Sequence, residues 1–316
     1  MSRFVVRRLG FLLLTLLLTS ILIFSVTQFL PGDVARITLG REAGDEALDA
    51  FREEFGLDRP AVVQFFGWLG RFVVGDWGTA YSFGASAGIH ELVVERLRNS
   101  LMLAVVVLVF AVPLSVALGV WAGLREGRLA DHVISLGSLA VVGLPEFVTG
   151  VLLIELLAHR LKLFPASSPI APGTGFWEAL PSLVLPALTA TLVLLAYIAR
   201  LTRAGVVEEM RQPYVRTATL KGLPRRTVVV KHVLRNALLP TITVVAISFG
   251  WLIGGIIVIE NVFNYPGVGR LLLFAIDRQD LPLLQAIAFV VVLFVVLANL
   301  VADLLYAALN PRIRYE

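Results

Sequence analysis

Long stretches without a single charged residue constrain this chain more than any other feature of its sequence. Five of them, each of 19 to 25 residues, occupy positions 9–30, 100–124, 181–199, 237–259 and 281–302. About 20 mostly apolar residues in helical form cross the hydrocarbon core of a bilayer, so each stretch predicts a transmembrane helix. A soluble fold could not bury them all, because hydrophobic residues make up 58% of the chain and charged residues only 16%.

A sixth span is predicted over residues 132–158, although this segment contains Glu146 and Glu155. A carboxylate at mid-membrane depth is expensive, so it is a functional hypothesis by default. Glu146 is therefore a candidate for lining a pathway, and the alternative is a wet cavity in which it makes no contact with cargo. For Glu155, near the outer end, snorkelling of the side chain toward water is the favoured interpretation.

The first apolar stretch follows Arg3, Arg7 and Arg8, so a secretory signal peptide is one interpretation of it. Its apolar run exceeds the usual length of about 7–15 residues, and no small-x-small cleavage site precedes Pro31. We therefore expect a transmembrane helix that is retained.

Lysine and arginine are unevenly divided between the connections, and this predicts the orientation. If the N-terminus is cytoplasmic, the inner segments 1–8, 125–131, 200–236 and 303–316 hold 16 basic residues in 66 positions, whereas the outer segments hold 11 in 112. Basic residues favour the cytoplasmic side, so both termini are expected inside. The formal charge of +4 reflects this asymmetry and does not call for a nucleic-acid partner.

The outer segment 31–99 is expected to contain helices. Residues 46–55 have apolar side chains at a helical spacing with acids on the other face, and residues 61–74 are aromatic and apolar enough to lie along the membrane surface. A small lid of interfacial helices is favoured over a discrete binding domain, because the segment has too little sequence for a core of its own.

The inner segment 200–236 carries nine basic residues and predicts a helix, a glycine turn and a second helix. Pro213 suits the first turn of a short helix that continues through residues 214–221. Gly222 is well placed as the left-handed residue that ends this helix, and Pro224 can open the next. The hairpin would present a short helix to a cytoplasmic partner; a basic loop held to anionic lipid is the alternative.

Residues 214–240 resemble the cytoplasmic EAA loop of binding-protein-dependent ABC transporter permeases, in the form used by the dipeptide, oligopeptide and nickel branch. Arg216-Thr217-Ala218 stands where the generic loop has Glu-Ala-Ala, and Gly222 follows at the right spacing. Leu239-Pro240 closes the motif five residues late, and both departures resemble those of the peptide branch.

Further segments along the chain are similar to landmarks of the same branch, in the same order. They are Phe29-Leu30-Pro31-Gly32-Asp33, Gly56-Leu57-Asp58-Arg59-Pro60, Gly75-Asp76-Trp77-Gly78, the segment from Glu260 to Arg270, Asp303-Leu304-Leu305-Tyr306 and Asn310-Pro311-Arg312-Ile313-Arg314-Tyr315. Matches in this order on a six-span chain make the resemblance specific.

The resemblance implies that the chain is one half of a translocation pathway in an ATP-driven importer. Its partners would be a second homologous permease subunit, two ATP-binding subunits beneath and an extracytoplasmic substrate-binding protein above. Peptides are the expected cargo, and nickel chelates, glutathione or another small solute are the alternatives.

The resemblance also implies which residues couple the chain to its ATPase. Gly222 would set the angle of the hairpin, Ala218 would permit close approach, and Arg216 and Lys221 would offer charge-assisted hydrogen bonds. The full predicted set is Tyr214, Arg216, Thr217, Ala218, Lys221, Gly222 and Leu223.

The chain's own residues indicate that it does not hydrolyse ATP. It has no Gly-x-x-x-x-Gly-Lys loop, and lysine occurs only at positions 162, 221 and 231. We expect no cofactor in this chain, with ATP and Mg bound by the partner subunits. The four histidines have no zincin spacing and there is no cysteine, so neither a metal site nor a membrane enzyme is expected. A stand-alone channel or secondary transporter is the alternative of a different class.

Small residues and an aromatic loop are further candidates for the pathway or its gate. Gly250 and Gly254 have the small-xxx-small spacing of close helix packing, as do Gly119 and Gly123 in the second span. The first pair could mark the seam between the two permease halves, or could be coincidence in a glycine-rich helix. The loop containing Tyr265 and Gly267 could be part of an outer gate, or simply a tight turn at the interface.

The predicted fold class is an all-α integral membrane protein with six transmembrane helices and cytoplasmic termini. An interfacial helical outer segment and a cytoplasmic helix-turn-helix complete it. The expected location is the inner membrane of a bacterial or archaeal cell, with membrane lipid around the spans.

Overall fold

A computed structural model of the chain describes residues 2–29, 35–36, 43–55, 58–83, 88–171 and 173–309. The parts of the predicted landmarks at residues 30–33, 56–57 and 310–315 lie outside these described residues. Regular structure in the described ranges is helical, with an isolated antiparallel bridge between Thr79 and Gly88. The α-helices are α1 Ser2–Phe29, α2 Asp45–Phe55, α3 Ala61–Val73, α4 Ile89–Leu124, α5 Leu129–Val142, α6 Glu146–Leu153, α7 Phe176–Met210, α8 Pro213–Leu220, α9 Arg225–Thr227, α10 Leu234–Ala237, α11 Leu239–Val262, α12 Val268–Asp277 and α13 Leu281–Leu309; Ile154–Arg160 and Val228–Val233 are π-helical, and Tyr81–Phe83 is a 3₁₀ turn.

The apolar stretches lie in long helices. Among the described residues, four helices are long and apolar enough to cross a membrane, and five are if the bent pair α5 and α6 counts as one span. Helix α11 covers the predicted span at 237–259 except for its first two residues. Helices α4 and α7, of 36 and 35 residues, extend well past the predicted spans 100–124 and 181–199. The total of six spans and the orientation of the termini stay predictions.

The predicted third span is not one straight helix. Helix α5 ends at Val142 and α6 begins at Glu146, and the two axes differ by 107°. Pro145 lies at the break with extended backbone (φ −58°, ψ 144°). Proline has no N–H to donate and disfavours helical backbone at the residue before it, which favours a break here, whereas α4 and α7 continue through Pro113 and Pro186. A single continuous helix over 132–158 was therefore the wrong expectation.

The described chain divides into two compact units, each with its own core. The first contains Ser100–Tyr265 and residues 298–309. Helix α7 is its centre, because α5, α6 and α11 all pack against it. Fully buried side chains of this core include Leu103, Leu183, Ile198, Leu252 and Phe263.

Glycines allow the second span to approach α7 closely. A Cβ atom added at Gly119 would lie 2.6 Å from the carbonyl oxygen of Ala199, and one at Gly123 would lie 2.7 Å from Cβ of Val206. Such distances are too short for any side chain, so only glycine fits at this crossing. The small-xxx-small spacing of Gly119 and Gly123 therefore serves packing within this chain.

The second unit contains Ser2–Asn99 and Pro266–Leu297. The helices predicted for its outer segment are confirmed as α2 and α3. Helix α3 buries an aromatic face: the ring of Trp68 lies 5.9 Å from that of Phe289, and the ring of Phe72 stacks on Trp77 at 4.7 Å.

Asp280 holds the second unit together at the start of α13. Its Oδ2 accepts hydrogen bonds from the backbone N–H of Ser82 at 2.8 Å and from the Ser82 hydroxyl at 2.6 Å. Its Oδ1 accepts the N–H of Leu283 at 3.3 Å, which is N-capping geometry. Burial, and secondarily the charge of Asp280, raises the pKa of nearby Tyr81 to about 12.

Large apolar side chains cover the outer faces of the long helices. Leu13 of α1, Phe110 of α4 and Leu136 of α5 are each exposed to more than 60%. In water, such extended apolar surface would drive aggregation, whereas in a bilayer it faces lipid tails. The exposed surface thus agrees with the membrane prediction.

Candidate coupling site

The basic hairpin, residues 213–237, begins where α7 ends. Helix α7 continues to Met210, and Gln212 then adopts extended backbone (φ −68°, ψ 144°) before Pro213 opens α8. The residue before a proline is pushed out of helical backbone, while proline itself suits the first helical position. Gln212 and Pro213 therefore set the break after α7 and the start of α8, as predicted.

Helix α8 has one buried face and one exposed face. Val215 and Ala218, three residues apart, are buried in a small apolar cluster with Val206 of α7 and Val228 and Val233 of the returning chain. The exposed face carries Arg216, Thr217, Leu220 and Lys221. Ala218 thus packs inward, and the outward surface of the helix is basic.

Gly222 ends α8 in a Schellman turn. Its φ of +76° is a left-handed conformation that side chains strain to adopt. The N–H of Gly222 donates to the carbonyl oxygen of Thr219 at 3.0 Å, and the N–H of Leu223 donates to that of Ala218 at 3.3 Å. These two bonds satisfy the last carbonyl groups of the helix and fix the direction of the chain toward Pro224. The predicted helix, glycine turn and helix are all present.

Tyr214 fastens the hairpin internally. Its hydroxyl donates to the carboxylate of Glu209 at the end of α7 and lies 3.2 Å from the carbonyl oxygen of His232, and it accepts a 3.2 Å bond from the amide of Asn236. Burial and then the bond to Glu209 raise the pKa of Tyr214 above its ordinary value near 10. The phenol is therefore protonated at neutral pH and acts as a brace between three segments.

The returning limb of the hairpin packs so closely against α7 that no side chain would fit at Gly205. A Cβ atom added at Gly205 would lie 2.6 Å from the carbonyl oxygen of Ala237. One turn earlier, the hydroxyls of Thr202 in α7 and Thr241 in α11 are 3.1 Å apart in a buried hydrogen bond. The hairpin is thus joined rigidly to α7 and α11.

The outward surface of the hairpin holds cations without partners. Within the described part of the chain, no hydrogen bond or ion pair engages the side chains of these exposed residues: Arg216, Lys221, Arg225, Arg226 and Lys231. The hydroxyls of Thr217 and Thr219, in contrast to these cations, have partners within the chain: each donates a hydrogen bond to a carbonyl group one turn back in α8. The cations are free to bind carboxylates on another molecule.

An ion pair missed in the sequence ties the connection 125–131 to α7. Asp131, 2% exposed, accepts hydrogen bonds from Nε and Nη2 of Arg203, the latter at 2.7 Å, and from the N–H of Gly127 at 2.9 Å. A second, exposed pair joins Arg211 and Glu126 at 2.6 Å. The sequence offered one signal, the opposite charges that flank neighbouring spans, but nothing in it specified pairing across 72 residues.

Glu146 opens helix α6 directly after the bend. Its Oε2 atom is buried and has no hydrogen-bond partner among the described residues, and the same is true of Thr149 Oγ1, three residues along the helix. Unpartnered buried oxygens are uncommon in folded proteins. Glu155, in contrast, is exposed; it forms an ion pair with Arg160 at 3.0 Å, and Nδ1 of His159 lies 3.3 Å from its carboxylate.

The remaining predicted pathway residues have different surroundings. Gly254 in α11 is exposed and no neighbouring atom would contact an added Cβ, while Gly250 lies in the same helix. Tyr265 is completely buried, and burial followed by the charge of Glu260 raises its pKa. Gly267 is buried at the start of α12 with extended backbone. Tyr265 thus belongs to the core in this conformation.

Groups of three or more His, Asp or Glu that could hold a metal ion are absent from the described residues.

Two family models together cover nearly the whole chain. Residues 115–315 match the family "Binding-protein-dependent transport system inner membrane component", and residues 1–108 match its N-terminal companion, "Binding-prot-dependent transport system membrane comp, N-term". The chain belongs to this family. It is a transmembrane permease of the inner membrane, in the dipeptide, oligopeptide and nickel branch of ABC transporters. Members of this family are permease components of transport systems and not enzymes.

Curated relatives match the permease over its full length. The glutathione transport system permease protein GsiC of Escherichia coli (strain K12) is 36% identical over 316 residues, which is all of both chains. GsiC of Salmonella typhi is also 36% identical over 316 residues. GsiC of Salmonella paratyphi A is 38% identical over 319 residues, again with both chains fully covered.

Proposed function

We propose that this permease forms one half of the translocation pathway of an ATP-driven importer. Its partners would be a second homologous permease, two ATP-binding subunits and an extracytoplasmic substrate-binding protein. Family membership supports this assembly, since the family is defined by dependence on a binding protein. ATP and Mg would be held by the partner subunits, and both termini of this chain would be cytoplasmic.

The observation that carries the coupling role is the rigid basic hairpin with an unpartnered outward surface. Val215 and Ala218 hold the buried face of helix α8 in the apolar cluster, and the hydroxyl of Tyr214 bonds the helix to Glu209. In front it presents Arg216 and Lys221. A rigid knob with free cations suits an acidic groove on an ATPase, and motion of that groove would reach α7 and α11 through the hairpin.

Short peptides, including glutathione, are the cargo we propose. The relatives named above transport glutathione, and glutathione is itself a tripeptide. Nickel chelates and other small solutes remain the second candidate for cargo. Reconstituted full transporter should take up labelled glutathione or dipeptides in an ATP-dependent manner; uptake of nickel chelates with no uptake of peptides would contradict the proposed cargo.

The pathway itself is proposed to run beside α6 and α11. The unpartnered carboxyl oxygen of Glu146 favours a site that becomes wet or meets cargo in another conformation. The open surface at Gly254 suits close packing of the second permease, with Gly250 on the same helix. The loop at Tyr265 and Gly267 would then respond to opening as part of the outer gate.

Substitution of Gly222 by arginine tests the docking role. The variant should still insert into the membrane but lose ATP-driven uptake. Arginine is strained in the left-handed conformation of residue 222, so the hairpin should change direction. Gly173→Arg is the matched control, since Gly173 also has a positive φ, of +79°, with open space around it. Normal uptake by Gly222→Arg would overturn the docking assignment.

A further inference from the structure

One turn of α7 joins the basic hairpin to two other parts of the first unit. Gly205 contacts Ala237 of the hairpin, and Thr202 bonds Thr241 of α11. Between them in sequence, Arg203 extends to Asp131 at the start of α5. A displacement of this turn therefore acts on three elements, of which α5 is the one that leads into the bent pair α5 and α6.

The link from this turn to α5 is a fully engaged ion pair. Two guanidinium nitrogens of Arg203 bind the two carboxylate oxygens of Asp131, and the N–H of Gly127 and the hydroxyl of Ser135 supply further bonds at 2.9 and 3.2 Å. The Asp131 side chain is only 3% exposed. A bidentate pair at a buried carboxylate fixes direction as well as distance, and removal of Arg203 would leave the Asp131 charge buried without its main partner.

A second pair, of quite different character, joins the connection 125–131 to the residue directly after α7. Glu126 and Arg211 meet at 2.6 Å, but their side chains are 43% and 69% exposed. Exposed pairs of this kind contribute little because water and salt screen them. Both pairs join an acid of the connection 125–131 to an arginine, Arg203 within α7 and Arg211 directly after its end, and the main difference between them is burial.

We propose that Asp131 and Arg203 are positioning residues that make α5, and with it the bend at Pro145, follow the movement of α7 when the ATPase moves the hairpin. The proposal rests on the proposed coupling function and adds a second route of transmission, through the connection 125–131. Loss of the pair should leave the hairpin able to dock and ATP hydrolysis active, while α5 no longer keeps its place on α7.

Distances between spin labels on α5 and α7 test this directly. The chain has no cysteine, so Leu136→Cys and Tyr197→Cys, both at exposed positions, supply its only thiols for labelling before assembly with the partner subunits. In the assembled transporter, the distance should be the same with and without trapped nucleotide. In the Asp131→Asn background it should shift or broaden on trapping, while ATPase activity stays within about twofold of the wild type.

Two further variants make the outcome decisive. Glu126→Gln removes the exposed pair and should behave like the wild type. If Asp131→Asn does not assemble, Arg203→Lys replaces it, because lysine keeps the charge but lacks the planar fork, and an intermediate broadening is expected. An unchanged distance in the assembled Asp131 or Arg203 variant overturns the proposal. Normal transport by Gly222→Arg would overturn the coupling function and this route with it.

Discussion

The side-chain amide of Asn236 donates a hydrogen bond of 3.2 Å to the hydroxyl of Tyr214. This bond joins the two limbs of the basic hairpin across 22 residues, and the same hydroxyl binds Glu209 at the end of α7. The sequence predicted that Tyr214 lies on the surface that contacts a partner. The structure shows that its hydroxyl also holds the hairpin together internally. The rigidity that coupling requires depends on this kind of contact.

Tyr214→Phe should loosen the hairpin without unfolding the permease. It removes one hydroxyl and its hydrogen bonds, which are worth about 0.5–1.5 kcal/mol each. We expect normal assembly and a several-fold loss of ATP-driven uptake in proteoliposomes. Tyr197→Phe is the control, because Tyr197 is exposed on α7 and no described hydrogen bond engages its hydroxyl. Equal activity of the two variants would show that the brace is dispensable.

Gly205→Ala should destabilise the first unit. The new methyl group would lie 2.6 Å from the carbonyl oxygen of Ala237, so the hairpin or α7 must shift. Overpacking of this kind costs about 1–3 kcal/mol, and thermal unfolding in detergent should show it as a lower melting temperature. Gly137→Ala, with open space at the same type of helical position, should leave the melting temperature unchanged or raise it.

Asp280→Ala should weaken the second unit at the start of α13. The substitution removes the N-cap and both bonds to Ser82, and loss of a cap alone costs about 0.5–2 kcal/mol. Hydrogen exchange at residues 81–83 should become faster. Asp277→Ala removes an exposed carboxylate nearby and serves as the control. Unaltered exchange in the Asp280 variant would rule out this anchoring role.

Glu146→Leu should raise stability and lower transport together. Removal of an unpartnered buried oxygen should raise the free energy of unfolding by about 1–3 kcal/mol. Uptake should fall, because a residue that lines the pathway is needed for passage of cargo. Melting temperature and ATP-driven uptake of glutathione measure the two effects on one preparation. Glu155→Gln, which alters an exposed carboxylate with local partners, should change neither by much. Full uptake by the leucine variant would remove Glu146 from the pathway.

Local features of the fold were predictable because they depend on neighbouring residues. The start of α8 at Pro213 and its end at Gly222 follow from backbone restrictions of two residue types. The long apolar helices follow from charge-free stretches that only a bilayer accommodates. Pro145 lies within the predicted third span, where a membrane helix can tolerate proline, and its presence did not specify a bend of 107°.

Contacts between distant segments were not predictable. Asp131 reads in the sequence as an acid beside a span, and its bidentate pair with Arg203 exists only because α5 packs on α7. Tyr265 belongs to the loop for which the sequence suggested an outer gate or a tight turn, and packing makes it fully buried. The partner of Asp131 is 72 residues away, and the core cluster that contains Tyr265 includes Leu103 and Leu183 of distant helices.

The sequence alone determined that this chain is a helical membrane protein with a basic helix-turn-helix, since hydrophobicity, proline and glycine act over a few residues. Only the tertiary structure decided which faces meet, that Tyr214 bonds inward and that Asp131 is paired. The physical reason is that burial and hydrogen-bond geometry arise when helices pack against each other, and the spacing of residues along one helix does not encode its partner.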